Sequence, residues 1–195
     1  MNENVKDSGK TEEYESGAHR DDAIGKGMCN LLPLEYVSMV MGDDPVIMSV
    51  AKFMETRNIC YLVEALKNSI DTVPYFCYEK ICEEMANENI EMRNLNDKKE
   101  IANACFAHMM IEVSKLYEAG ARKYGANNWQ LGMPVNRYID SGIRHYLKTL
   151  RGDIDEPHYR GFVWNLLCAM WTADHHPNLN YKDEPKKSEN KTVAE

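Results

Sequence analysis

The stretch Pro134-Val135-Asn136-Arg137-Tyr138-Ile139-Asp140-Ser141-Gly142-Ile143-Arg144-His145-Tyr146-Leu147-Lys148-Thr149-Leu150, followed by Arg151-Gly152, decides the fold. Val135, Ile139, Ile143, Tyr146 and Leu150 recur at steps of three and four, so they share one stripe of a helix. Pro134 suits the start of that helix and Gly152 its end, because proline needs no N–H there and glycine tolerates the left-handed cap. Downstream, Pro157 opens a second helix to about residue 173, with Phe162, Val163, Leu166 and Met170 inward. Upstream, Asp97 is an N-cap for a long helix to about residue 119, carrying Ile101, Cys105, Met109, Val113 and Leu116. Gly120 and Gly125 are its alternative stops, and Gly125 is the stronger.

The same pattern extends towards the N-terminus. Residues 31–41 form an apolar segment broken by Gly42-Asp43-Asp44-Pro45, where Asp44 caps a helix running to about residue 55. Residues 58–69 carry Cys60, Leu62, Val63 and Leu66 on one side, residues 76–87 carry Cys77, Ile81, Cys82 and Met85, and 88–96 read as a loop. No segment alternates with period two over any length. The expected fold is all-α, a compact helical bundle with disordered termini. Residues 1–16 are a disordered arm, 17–177 a single helical domain and 178–195 a disordered tail, since the two ends have almost nothing to bury.

Composition narrows the function classes. In 195 residues the net charge is −8, which repels phosphate backbones at long range and argues against nucleic acid as a partner. A local basic pocket remains compatible with a small phosphate compound. The six cysteines form no CxxC pair and mostly sit in apolar runs, as buried reduced thiols do. Residues 1–22 lack the apolar core of a secretory signal, and no stretch approaches the roughly 20 apolar residues that span a bilayer. The expected setting is a reducing cytoplasm, without a membrane.

Polar residues left over once the stripes are buried gather between 117 and 165. Asp140 and Arg144 share a helix face with His145 beside them, and Asp153, Asp155, Glu156 and His158 follow the turn. An isolated Asp–Arg pair at this spacing is an ordinary surface pair worth about 0.2–0.5 kcal/mol. Six carboxylate or imidazole groups within nineteen residues are also enough to converge on one cation, and hard cations such as Mg²⁺ take carboxylate oxygens together with substrate phosphates. A second run, Tyr117-Glu118-Ala119-Gly120-Ala121-Arg122-Lys123-Tyr124-Gly125-Ala126-Asn127-Asn128-Trp129, joins an acid, two bases, two amides and an indole around small residues. Asn127 and Asn128 offer amide edges to a base or ribose, and Trp129 a stacking face; a capped helix end with Trp129 in the core has the same sequence. Arg20 and Lys26 lie among flexible glycines near the N-terminus, without the spacing of a P-loop.

Taken in order, several blocks look familiar. They are Ser16-Gly17-Ala18-x-Arg20-Asp21, Gly25-Lys26-Gly27, Asn30-Leu31-Leu32-Pro33, Glu118-Ala119-Gly120-Ala121-x-Lys123-Tyr124-Gly125-x-Asn127-Asn128-Trp129, Arg137-Tyr138-Ile139-Asp140-Ser141-x-x-Arg144-His145, Asp155-Glu156, His158 and Trp164-Asn165. The chain thereby resembles a family found widely in bacteriophages, the N-terminal domain of dATP/dGTP diphosphohydrolases. That family resembles, more distantly, the all-α MazG-type nucleoside triphosphate pyrophosphohydrolases. The resemblance covers residues 16–42 and 103–172, so 43–102 reads as an insertion.

The resemblance implies metal-dependent hydrolysis of a purine deoxynucleoside triphosphate to monophosphate and pyrophosphate. It implies Mg²⁺ or Mn²⁺ as cofactor, with Glu118, Asp140, Asp155, Glu156 and His158 as ligands and Glu118, Asp140, His145 and Glu156 as the catalytic set. Arg20, Lys26, Lys123, Asn127, Asn128, Trp129, Arg144 and Asn165 are the expected substrate contacts. The MazG carboxylate signature EExxE is absent: Glu83-Glu84 is followed by Asn87, and Glu118 by Ala121. The expected partner is a purine nucleotide, with a homo-oligomer as a further expectation. The expected setting is a host-cell cytoplasm if the chain is phage-encoded. The alternative is a protein that binds or sequesters a nucleotide signal without turnover.

Overall fold

The structure, a computed structural model, describes residues 10–21, 25–72 and 98–181. Six α-helices carry the described fold: α1 (Leu34–Val40), α2 (Pro45–Thr56), α3 (Cys60–Thr72), α4 (Lys98–Tyr124), α5 (Val135–Arg151) and α6 (His158–His175). The all-α reading holds. The expected helix at 76–87, the loop at 88–96 and the cap at Asp97 lie outside the described residues.

Local chemistry explains where several helices begin and end. Asp44 accepts hydrogen bonds from the Val46 and Ile47 amides, both at 2.9 Å, and Pro45 opens α2. A carboxylate there answers two otherwise unpaired N–H groups. Gly152 (φ 82°) closes α5 in the left-handed region. The long helix α4 passes Gly120 and stops at Gly125, the stronger of its two glycines.

The core lies where α5 and α6 pack along each other, with α2 and α3 beside them. Val135, Ile139, Ile143, Tyr146, Phe162, Val163 and Leu166 are fully buried. At Gly142 a Cβ would come within 2.9 Å of Leu166 Cδ1, so the missing side chain sets how closely α5 approaches α6. Val63, expected on the buried side of α3, is exposed; the inward face is Leu62, Ala65, Leu66 and Ser69. Cys60 is also exposed, on the side of the first turn of α3 away from buried Leu62, while Cys168 is buried and Cys29 half-buried.

One departure concerns the expected arm. Residues Thr11–Glu13 (β1) and His19–Asp21 (β2) form a two-stranded antiparallel hairpin in the register Thr11↔Asp21, Glu12↔Arg20, Glu13↔His19. Its polar sequence buries little of its own, and distant groups hold it instead. Arg137 donates to Glu12 at 2.6 Å and to the Tyr14 hydroxyl at 3.1 Å. Ser16 donates to the Gly132 carbonyl. Among the described residues, no helix is long and apolar enough to cross a membrane.

Candidate functional site

Strand β2, the C-terminal half of α4, the 3-10 turn Asn128–Leu131 and the facing sides of α5 and α6 enclose a cavity of about 670 Å³. That is within the range of small-molecule sites. Seven cationic side chains (Arg20, Lys26, Lys123, Arg137, Arg144, Lys148, Arg160) line it against three carboxylates (Asp21, Asp140, Glu156). A chain of net charge −8 thus has a cavity lined mainly by the opposite sign.

Helical spacing produces much of this lining. Arg137, Asp140, Arg144 and Lys148 step by three and four along α5 and face the cavity, with Ser141 beside Asp140. Asp140 is 2% exposed and accepts from the Cys29 amide at 2.5 Å and from Arg144 at 3.0 Å. Arg144 also donates to the Gly27 carbonyl at 3.1 Å. Together they fasten the Gly25–Gly27 turn, which carries Lys26, onto α5.

Arg20 forms part of the floor. It donates to Asn165 Oδ1 at 2.7 Å and lies over the rings of Tyr138 and Trp164, at 5.7 and 5.8 Å from their centres. Burial pulls its guanidinium below the usual arginine range. Lys123 reaches Asp21 at 2.6 Å. Trp129 meets Tyr117 and Trp171 edge-on, with ring centres 5.2 and 5.0 Å apart, so one wall is aromatic. Asn128 spends both ends of its amide on the backbone of His19, accepting from its N–H at 2.9 Å and donating to its carbonyl at 3.0 Å. It acts as an extra strand partner for β2, which leaves less of its amide for a ligand.

Where α5 meets the residues before α6, three groups converge. The Nδ1 atoms of His145 and His158 are 3.1 Å apart, and Glu156 Oε1 is 3.8 Å from the first and 3.3 Å from the second. His158 is 2% exposed, and its Nε2 meets Asp155 Oδ1 at 2.7 Å. Burial, then His158 and the nearby cations, push the His145 imidazole down to about 3. A second cluster, Asp153, Asp155 and His158, lies on the outer side of the same turn.

The structure brings most of the expected site residues to one place. Arg20, Lys26, Lys123, Asn127, Asn128, Trp129, Asp140, Arg144, His145, Glu156 and Asn165 all line the cavity. Asp155 and His158 stand just behind its wall. Glu118 does not join them: it is exposed and pairs with Arg122 one turn along α4 at 2.5 Å. The five expected metal ligands therefore do not form one set, since Glu118 points outward and Asp140 is committed to Arg144 and Cys29. Arg137, Lys148 and Arg160 were not among the expected contacts; the four-residue step from Asp140 through Arg144 to Lys148 is the signal for the second of them.

Residues 90–182 match the family described as dATP/dGTP diphosphohydrolase, N-terminal. No curated protein and no solved structure matches the chain. The resemblance drawn from the motifs is thus found again over this span. Within the described residues the matched span holds α4, α5 and α6, and so the aromatic wall, the α5 cations and the His145–Glu156–His158 cluster. Arg20 and Lys26 reach the cavity from outside the matched span.

Proposed function

We propose that the cavity binds a purine deoxynucleoside triphosphate and that the protein hydrolyses it to monophosphate and pyrophosphate. The observation that carries this reading is a cation-rich, aromatic-walled cavity most of whose lining comes from the segment that matches a diphosphohydrolase family. Arg144, Lys148, Lys123 and Lys26 would take the phosphates, guanidinium and ammonium groups being suited to that charge. Trp129 and Tyr117 would pack against the base. A divalent metal ion, Mg²⁺ or Mn²⁺ by the sequence expectation, would lower the pKa of the attacking water and shield phosphate charge when bound. The groups suited to hold it are those around Glu156 and His158. In a phage-infected cell such an activity would alter the nucleotide pool.

The test is incubation with a panel of deoxynucleoside and nucleoside triphosphates, with and without each metal, and separation of the products by ion exchange. Metal-dependent formation of monophosphate and pyrophosphate, lost in Glu156→Ala, is the expected result. A second reading, nucleotide binding without turnover, is favoured by the seven cations against three carboxylates. Recovery of intact bound nucleotide with no products would establish it in place of the first.

A further inference from the structure

We infer that His145, Glu156 and His158 form a nitrogen-rich divalent metal site, which takes a first-row transition ion such as Mn²⁺ or Zn²⁺ in preference to Mg²⁺. The inference rests on the hydrolase reading for the ion's use, but the binding itself can be tested without turnover.

The two Nδ1 atoms and Glu156 Oε1 form a triangle with sides of 3.1, 3.3 and 3.8 Å. A point about 2.0 Å from all three corners exists, and that is the distance at which Zn²⁺ holds imidazole nitrogen and carboxylate oxygen. His158 is already oriented for the task. Its Nε2 donates to Asp155 Oδ1 at 2.7 Å, which fixes the tautomer and turns the Nδ1 lone pair towards the triangle. His145 can donate one proton to that nitrogen. This contact alone would be a neutral imidazole–imidazole hydrogen bond. It would leave the Glu156 oxygen facing two nitrogens without a proton for it, an arrangement of converging acceptors that a cation satisfies.

The backbone makes room for the arrangement. Gly161 lies one turn into α6 from His158, and a Cβ there would sit 2.9 Å from both His145 Cε1 and Nδ1. Any larger residue would push the His145 ring out of the triangle. Ligand chemistry then selects the metal. Mg²⁺ demands oxygen ligands and retains most of its water, whereas two imidazoles and one carboxylate suit Mn²⁺, Zn²⁺ and their neighbours. Because His145 and Glu156 line the cavity, the remaining positions on such an ion face the space beside Arg144 and Lys148.

The experiment is metal titration of the EDTA-treated full chain, followed by calorimetry, with Mn²⁺ also read by pulsed electron paramagnetic resonance for coupling to nitrogen. One equivalent each of Mn²⁺ and Zn²⁺ should bind, with nitrogen coupling in the Mn²⁺ form, and millimolar Mg²⁺ should not displace them. His158→Gln should abolish binding. Asp155→Asn, which keeps all three ligands, should weaken it by roughly 10–100-fold. Gly161→Ala, which also keeps them, should weaken it by moving the His145 ring. Metal-free circular dichroism and thermal unfolding show that each variant folds. Absence of binding, Mn²⁺ binding without nitrogen coupling, or unchanged affinity in folded His158→Gln would overturn the site. Metal binding without nucleotide turnover would leave the site standing and remove the hydrolase reading. Mg²⁺-dependent turnover by a chain that binds neither Mn²⁺ nor Zn²⁺ would do the reverse.

Discussion

Arg144 donates both to Asp140 and to the Gly27 carbonyl, and the carboxylate that it neutralises is almost completely buried. Removing one member of a buried pair leaves the other charge without compensation, which typically costs about 3–5 kcal/mol. The Cys29 amide still donates to Asp140, so Arg144→Ala should cost about 3 kcal/mol, at the lower end of that range. Adding Asp140→Asn should restore part of the loss. Urea unfolding of the two single variants and the double variant measures the coupling, and strictly additive effects would refute it. A different residue governs behaviour in alkali. Burial pushes the Cys168 thiol up to about 12 from an ordinary value of 9.0. Above pH 9 the unfolded chain gives up this proton while the folded chain retains it, so this contribution to stability falls as pH rises from 9 towards 12. Native protein at pH 8 should therefore be alkylated at exposed Cys60 and not at Cys168. Peptide mass spectrometry reads both sites, and comparable labelling of the two would show that Cys168 is not enclosed.

Helix α2 depends on a cap that does more than end a helix. Asp44 uses Oδ1 for the amides of Val46 and Ile47, and Oδ2 for the hydroxyl of Tyr146 at 2.9 Å, which links the start of α2 to the middle of α5. Loss of an ordinary cap costs about 1 kcal/mol. Asp44→Ala should cost about 2 kcal/mol or more, because a charge-assisted bond to a buried tyrosine is lost as well. Tyr146→Phe should account for the excess in a thermal-unfolding series; if Asp44→Ala costs no more than a plain cap, the cross-link contributes nothing. The start of α2 was readable in Asp44-Pro45 because a cap is a local matter, as was the end of α5 in Gly152. The β1–β2 hairpin was not, since neither Thr-Glu-Glu nor His-Arg-Asp alternates, and its supports, Asn128 and Arg137, are more than a hundred residues away. The site was readable to the extent that helical spacing determines it. Asp140, Arg144 and His145 follow from the period of α5, and the 117–129 run from its unusual mixture of groups. Glu118 failed the same test because it stands one step away from the Tyr117, Gly120 and Ala121 face and turns outward to Arg122. The His145–Glu156–His158 triangle requires the turn between α5 and α6 to fold back, which no spacing along the chain specifies.

At the scale of the whole molecule, an acidic chain carries a basic cavity, and this contrast has measurable consequences for any phosphate ligand. A chain of net charge −8 repels a highly charged anion at a distance, while the cations around the cavity attract it at close range. Short-range pairing gains more from each added phosphate than the distant repulsion takes away, because charge-assisted hydrogen bonds act where water is excluded. Affinity for a purine deoxynucleotide should therefore rise from monophosphate to diphosphate to triphosphate, as measured by calorimetry with a non-hydrolysable analogue. Higher ionic strength should weaken the triphosphate most, since exposed cations such as Lys26 are screened within about 8–10 Å at physiological salt. Lys148→Ala removes a cavity cation whose ion pair with Asp155 is long, 3.8 Å, so little of the fold depends on it. A hydrogen bond to a charged group is worth about 1.5–3 kcal/mol, and this variant should lose roughly 10–100-fold in triphosphate affinity while unfolding near the wild-type temperature. The monophosphate should lose much less. Equal losses for the two ligands would place the phosphate chain elsewhere in the cavity, and a flat order from monophosphate to triphosphate would mean that these cations hold the fold together and do not bind phosphate.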